Sequence, residues 1–417
     1  MCLPISWHPL NLYIFHRLIQ AAKLAMSMNN MKSNSSTGVG RLMTMMIFIT
    51  VHLLLQQQYC LGGAQQLVQV PAVFVLGDST LDVGNNNYLP GKDVFRANKP
   101  YNGIDYPASI PTGRFSNGYN LADYLAMKLG FKESPPAYLS LLQGPGPLPN
   151  LTLAINALSR GVNFASGGAG VLDSTYAGRC IPLSTQVRSM EATRAAMVAK
   201  VGSPAAVSAH IARSFFLLGV ANNDMFVFAT AQQQRNRSAT PAEVAAFYTD
   251  LVGKYSDAIM ELYGMGARKF GVINVGLVGC VPLVRAMSPT GACSDDLNRL
   301  AAGFDDALAS LLSGLAARLP AFSYSLADAQ AIARLAFADP MASGGYTNVD
   351  EACCGSGRLR AEADCQVGSM LCSDRDKWAF WDRVHPSQRA CFLSAAAYYD
   401  GPAQLTKPIN FKHLAST

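Results

Sequence analysis

The chain has 417 residues, half of them hydrophobic and 14% charged. That is enough apolar material to bury the core of one large domain or two average ones, and it excludes disorder over most of the length. The formal charge of +6 is concentrated in the leader, where Arg17, Lys23, Lys32 and Arg41 meet no acid before Gln65, and the remainder carries only +2 with no basic block, which argues against nucleic acid as a partner.

In chain order, the first element is that leader, residues 1–64. Lys32 and Arg41 precede the apolar run from Leu42 to Leu55, and Gly62-Gly63-Ala64 follows with small residues at both positions a signal peptidase reads. The run is about 14 residues long and contains His52. A bilayer span needs roughly 18 to 20 apolar residues. The pattern predicts a cleaved signal, a mature start at Gln65 and no stable membrane anchor. Translation from Met28, Met31 or Met43 would account for the roughly 40 residues in front.

Beyond the leader, short apolar runs alternate with longer amphipathic ones. The runs Ala72 to Leu76, Gly161 to Ala165, Ser214 to Val220, Lys269 to Val275 and Phe322 to Leu326 predict strands, each bounded by glycine, proline or polar turn residues. Helical patterns cover Asn120 to Leu129, Thr185 to Lys200, Pro241 to Tyr263, Ser294 to Leu319 and Pro386 to Tyr399. Thr240, Pro241 and Glu243 supply an N-cap, an N1 proline and a capping-box partner. This alternation predicts an α/β fold with a parallel sheet covered on both faces. The Pro- and Gly-rich stretch Ser134 to Asn150 reads as a long surface loop within one domain.

After the leader eight cysteines remain: Cys180, Cys280, Cys293, Cys353, Cys354, Cys365, Cys372 and Cys391. An even number in an exported chain predicts disulfides, with 105 pairings open. Zinc is disfavoured for the cluster from Cys353 to Cys372, because adjacent cysteines fit poorly into a ligand loop and no histidine lies among them. Asn150-Leu151-Thr152 and Asn236-Arg237-Ser238 are glycosylation sequons expected on surface loops.

The chemistry centres on Gly77-Asp78-Ser79, just past the first strand, where ligands of such sheets bind. Alone, this tripeptide is an ordinary turn. His210, His385 and His413 are the three histidines after the leader. His413 lies near the chain end, where order is often lost, and His210 sits on an Ala-rich helical stretch without a nearby carboxylate. His385 has Asp382 three residues upstream, on one side of a helical turn. There Asp382 can hold Nδ1–H and leave Nε2 for a serine hydroxyl, the needs of nucleophilic acyl transfer. As an alternative, Asp382 would cap a helix with Pro386 at N1, but that spacing puts His385 at the N-cap. Asn163 to Gly170 and Gly219 to Asp224 each follow a strand with small or amide residues suited to a developing oxyanion.

The segments Val75 to Asn87, Gly113 to Gly118, Asn163 to Gly170, Gly279 to Pro282, Cys353 to Gly355 and Trp381 to Pro386 resemble, in order, the blocks of plant GDSL esterases/lipases, also called SGNH hydrolases. The resemblance runs from about Ala72 to Leu405. It implies a single flavodoxin-like domain over residues 65–417, a three-layer sandwich with a parallel sheet of about five strands. By resemblance, Ser79 is the nucleophile, His385 the general base and then acid, and Asp382 the residue orienting it. The oxyanion hole maps to the Ser79 N–H, the Gly168 N–H and the Asn223 amide, with Gly167 open if the loop register differs by one. The third block usually reads Gly-x-Asn-Asp. Ala221 stands at its first place here, and a positive φ there would strain alanine and shift Asn223.

These residues imply a secreted, extracellular serine esterase/lipase that acts on a small-molecule, lipid or polysaccharide ester and uses no metal or organic cofactor. An acyltransferase with the same triad and a non-catalytic wall or lipid-binding protein on the same fold are the alternatives. The family places such proteins in the cell wall or apoplast. Acyl chain length is expected to depend on the loops Ser134 to Asn150 and Ala229 to Ala239.

Overall fold

The computed structural model describes residues 70–143 and 148–417. The leader, with the expected signal, Gln65 start and alternative initiators and with Cys2 and Cys60, lies outside them. The elements in the first half are β1 (Val73–Gly77), α1 (Leu121–Lys128), α2 (Tyr138–Gln143), α3 (Pro149–Ser159), β2 (Gly161–Asn163), α4 (Leu183–Val201), α5 (Pro204–Arg213), β3 (Phe215–Gly219) and α6 (Asn222–Gln234). Then come α7 (Pro241–Met265), β4 (Lys269–Ile273), α8 (Pro282–Met287), α9 (Asp295–Arg318), β5 (Ser323–Ala327), α10 (Ala329–Ala338) and α11 (Pro340–Gly344). The last part holds β6 (Asn348–Ala352), β7 (Cys354–Gly355), β8 (Met370–Leu371), β9 (Trp378–Phe380), α12 (Gln388–Asp400), β10 (Thr406–Lys407) and α13 (Phe411–Ser416).

All five predicted strands form, and they join one sheet in the order β10-β5-β4-β3-β1-β2. The five are parallel, and the short β10 adds a sixth, antiparallel edge strand beside β5. Every residue of β1 and β3 is buried, as strands covered on both faces require. Alternate side chains part to opposite layers. Phe74, Leu76, Phe216, Leu218, Phe270 and Val272 pack with the apolar faces of α4, α5, α7 and α9. Val73, Val75, Phe215 and Leu217 pack with α1, α12 and α13. The result is the three-layer α/β sandwich implied by the resemblance.

Four local expectations are corrected. The stretch Ser134 to Asn150 is not a plain loop, because it contains α2 and the start of α3. Asn150 is therefore exposed in a first helical turn rather than on a loop, whereas Asn236 is exposed in the turn after α6. The helix expected from Pro386 begins at Gln388, capped by the Ser387 hydroxyl, which accepts from the Ala390 N–H at 3.2 Å. The chain end is ordered: His413 belongs to α13, which buries Phe411 and Leu414 under the sheet.

Six of the eight cysteines pair, as Cys280–Cys293, Cys353–Cys372 and Cys354–Cys365. Cys180 and Cys391 remain thiols. The cluster from Cys353 to Cys372 is thus cross-linked rather than laid out for zinc, and its cystines fit an oxidising compartment.

Candidate active site

The register of the sheet sets out the site. Gly77 lies opposite Gly219, and Gly219 opposite Ile273, so β1, β3 and β4 end level with one another. Gly77 is required there by close approach: a Cβ on it would lie 2.4 Å from the Gly219 carbonyl oxygen. Gln186, on α4 and fully buried, closes both backbone groups of Gly77. Its Oε1 accepts from the Gly77 N–H at 2.8 Å, and its Nε2 donates to the Gly77 carbonyl at 2.9 Å. The next residue, Asp78, donates its N–H to the Gly219 carbonyl at 3.1 Å. The Asp78 carboxylate is buried and accepts from the Thr80 N–H (2.9 Å), the Thr80 hydroxyl (2.8 Å) and the Asn222 amide (2.9 Å). Burial pushes its pKa up, against those hydrogen bonds. Ser79 therefore leaves a strand end fixed from three sides.

His385 reaches it from the far end of the chain. Its Nε2 lies 2.8 Å from Ser79 Oγ, and its Nδ1 lies 2.8 Å and 2.9 Å from the two Asp382 oxygens. The carboxylate fixes the tautomer, so Nδ1–H donates to Asp382 and the Nε2 lone pair accepts from the Ser79 hydroxyl. The two residues meet through an Asx turn rather than a helical one. Asp382 Oδ1 accepts from the Val384 N–H at 3.0 Å and the His385 N–H at 2.8 Å. Burial lowers the pKa of His385, but the charge and hydrogen bond of Asp382 outweigh it and the net shift is upward. Burial raises Asp382, and the facing imidazole and its backbone donors reverse that to a net lowering. The ring of Phe115 covers His385 at 4.9 Å between centroids.

The expected oxyanion donors line the same cleft as Ser79. Gly168 adopts φ 89° in the loop after β2, and its N–H has no partner among the described residues. The Gly167 N–H is instead committed to Asp82 Oδ2 at 2.9 Å, so of the two glycines Gly168 has the free donor among the described residues. Asn223 opens α6, with its amide donating one hydrogen to the Ala169 carbonyl at 2.9 Å and leaving the second for the cleft. Ala221 does adopt the strained conformation, φ 108°, and Asn223 still faces the cleft. His210 and His413 lie on α5 and α13, outside the cleft lining.

Sequence reasoning missed the supports. Asp82 is buried and binds the N–H groups of Gly84 (2.7 Å), Asn85 (2.8 Å) and Gly167; burial raises its pKa to about 6 against them. Asn85 donates to the Asn163 and Ala165 carbonyls at 2.9 Å, and Asn86 to the Gly167 carbonyl at 2.8 Å. Asp224 accepts from the Val171 and Leu172 N–H groups and the Thr175 hydroxyl. In the Gly113 to Gly118 block, Asn117 Oδ1 accepts from the Gln388 N–H at 2.7 Å, tying that block to the helix after His385. The signal was the density of Asn and Asp at strand ends, where apolar runs stop and backbone donors need partners.

Ser79, His385 and Asp382 open into a cleft of about 1890 Å³ that follows the carboxyl edge of the sheet. Residues of the stretch Ala229 to Ala239 line it, although the stretch is not the loop expected, since it is the end of α6 as far as Gln234; none of the described residues from Ser134 to Asn150 lines the cleft.

Comparison with known proteins agrees with this geometry. The profile of the GDSL-like lipase/acylhydrolase family matches residues 73–393. A GDSL esterase/lipase of Arabidopsis thaliana is 36% identical over 357 residues, covering 83% of this chain and 91% of the relative. A second from the same plant is 35% identical over 360 residues (83% and 86%), and a third 34% over 376 residues (89% and 95%). With the family profile spanning the whole parallel sheet and the segment that carries His385, the chain belongs to the GDSL-like lipase/acylhydrolase family, a family of carboxylic ester hydrolases.

Proposed function

We propose that this protein is a secreted serine esterase that works through a Ser79–His385–Asp382 triad and an acyl-enzyme. The observation that carries the reading is the unbroken hydrogen-bonded chain from Ser79 Oγ through His385 to Asp382, with distances of 2.8 Å at each link, beside two amide donors. Ser79 Oγ attacks the ester carbonyl as its proton passes to His385 Nε2. Asp382 stabilises the imidazolium that results. The carbonyl oxygen becomes an oxyanion held by the N–H groups of Ser79 and Gly168 and the amide of Asn223. The C–O bond to the alcohol then breaks, and the alcohol leaves with the proton from His385. Water adds to the acyl-enzyme by the same route and releases the acid and Ser79.

Secretion is supported by the leader pattern and by three disulfides. On this reading the mature chain starts at Gln65 and forms one domain. Asn150 and Asn236 are both exposed, as glycan acceptors must be.

The test is Ser79→Ala. We expect kcat on a short p-nitrophenyl ester to fall by about 10⁵ to 10⁶, and labelling by a serine-directed phosphonate to vanish, with the circular dichroism spectrum unchanged. Hydrolysis undiminished in that variant would sink the assignment. Products formed with a competing alcohol in place of water would move the activity to acyl transfer.

A further inference from the structure

The two ends of the cleft differ in chemistry. Toward β4 and β5 its walls carry an apolar set, Val278, Val281, Val284, Met287, Ile332 and Phe337, and the charges beside it are paired, Arg299 with Asp296 and Arg383 with Asp364. Toward β2 the rim is built by residues 92–99 and 176–180, and it is cationic and aromatic. This rim stands against the oxyanion donors: a Cβ on Gly168 would lie 2.5 Å from the Phe95 ring and 3.5 Å from Cys180 Cβ.

The rim is organised around Arg179. Its guanidinium lies 3.9 Å from the centroid of Phe95 and 5.6 Å from that of Tyr176, and the two rings meet edge-on at 5.0 Å. Nε donates to the Asp93 carbonyl at 2.9 Å. Both terminal amino groups are without a partner among the described residues, so the planar fork is held in place with its donors unused. Lys92 and Lys99 line the same end, exposed and without an ion pair among the described residues. Arg96 differs, because it donates to the carbonyls of Gly91 and Leu89 and holds the loop together. The one carboxylate lining this rim is Asp93; Asp173, on the adjoining turn, accepts from the Ser184 hydroxyl. A cleft end lined mainly by one sign of charge concentrates ligands of the other sign.

We infer that the β2 end is an anion subsite, and that the favoured substrate is an ester bearing a carboxylate or similar small anion a few atoms from the scissile carbonyl. The apolar part of the substrate lies along the β4–β5 end. This rests on the esterase reading and names its substrate class.

The test uses two matched pairs of esters: p-nitrophenyl hydrogen glutarate against p-nitrophenyl valerate, and 4-acetoxybenzoate against its methyl ester. The first pair puts the anion on the acyl side and the second on the alcohol side. Each kcat/KM is divided by the rate constant for hydroxide-catalysed hydrolysis of the same compound. In at least one pair the anionic member is favoured by about tenfold or more, as charge-assisted hydrogen bonds allow. That preference shrinks on going from about 0.02 to about 0.5 M salt. It drops toward unity in Arg179→Gln and falls in the double variant Lys92→Gln/Lys99→Gln, whose exposed side chains carry little folding risk. Equal rates within both pairs, or a preference that survives both variants, overturns the subsite. Ser79-dependent hydrolysis of the neutral esters in the same experiment would leave the esterase reading standing.

Discussion

Ser79 leaves a strand whose five residues are all buried and whose terminal glycine is closed on both backbone groups by Gln186. His385 leaves a run of bends hung from the three-residue strand β9, which pairs with β6 through a register shift. The carbonyls of Phe380 and Trp381, just before Asp382, accept from the N–H groups of Cys353 (3.1 Å) and Cys354 (2.8 Å), and each of those cysteines is cross-linked. Trp381 is fully buried in a small separate core with Cys353, Cys354, Cys365 and Cys372, and its indole donates to Asn102 at 2.9 Å. Ser79, the proposed nucleophile, thus inherits the rigidity of the main core. His385, the proposed base, depends on a satellite too small to be held by apolar burial alone, so covalent bonds take over that role.

The largest effect expected on the base side is that of Asp382→Asn. The amide keeps the shape but not the charge, and kcat should fall by about 10⁴, since the imidazole loses both its fixed tautomer and the partner of its cation. The pH profile sharpens the point. On the proposed mechanism only neutral His385 accepts the Ser79 proton, so wild-type kcat/KM should be lost as pH falls through a His385 pKa held above its ordinary value of about 6.5. With the carboxylate charge gone and burial left, that acid limb should move to lower pH. A profile that does not move would mean that Asp382 acts through shape alone.

The same contrast explains what could be read from the sequence. Strands β1 and β3 were legible because runs buried on both faces are almost wholly apolar, and the half-buried β5 because polar turns bound it; the ends of the five parallel strands shifted by only a residue or two. That Ser79, Asp382 and His385 would meet was legible because rival histidines are few. The Asx turn at Asp382 was not, because spacing at i and i+3 suits a helical turn equally well and only the bonds to Val384 and His385 distinguish them. The helix starts inside Ser134 to Asn150 were hidden by prolines and glycines, which mark loops and helix N1 positions alike. The disulfide pairing was open in principle, since cysteine spacing does not encode proximity. Asp82, Asn85 and Gln186 serve backbone groups 78 to 109 positions away, contacts that no local pattern reports.

A smaller effect tests whether the satellite is separable. Replacing both Cys353 and Cys372 by serine opens a loop with a sequence separation of 19, a loss of about 3 kcal/mol by chain entropy. If the base is held by the satellite, that loss falls locally. Ester hydrolysis should then disappear at a urea concentration below the one that removes the far-UV dichroism of the sheet and its helices. Coincident loss of activity and dichroism would show a single cooperative unit and erase the contrast.

The smallest effect concerns the nucleophile side, where one residue departs from the usual block. Ala221 is fully buried and sits at φ 108°, ψ −9°, between β3 and α6. The chain is driven into this conformation because the turn must deliver Asn222 to the Asp78 carboxylate and Asn223 to the Ala169 carbonyl. Left-handed backbone costs a residue with a β-carbon about 1 to 2 kcal/mol. Burying the methyl returns up to about 0.8 kcal/mol, and glycine's freer unfolded chain costs a further fraction. Ala221→Gly should therefore stabilise the protein by no more than about 0.5 to 1 kcal/mol, a rise in Tm of a degree or two for a domain of this size. The kcat should stay within about twofold, because Asn223 is already held and its second amide hydrogen already faces the cleft. A fall in Tm would mean that methyl packing outweighs the strain. A rise in kcat of about tenfold would mean that alanine displaces Asn223, and that even the core-anchored half of the site is not at its best geometry.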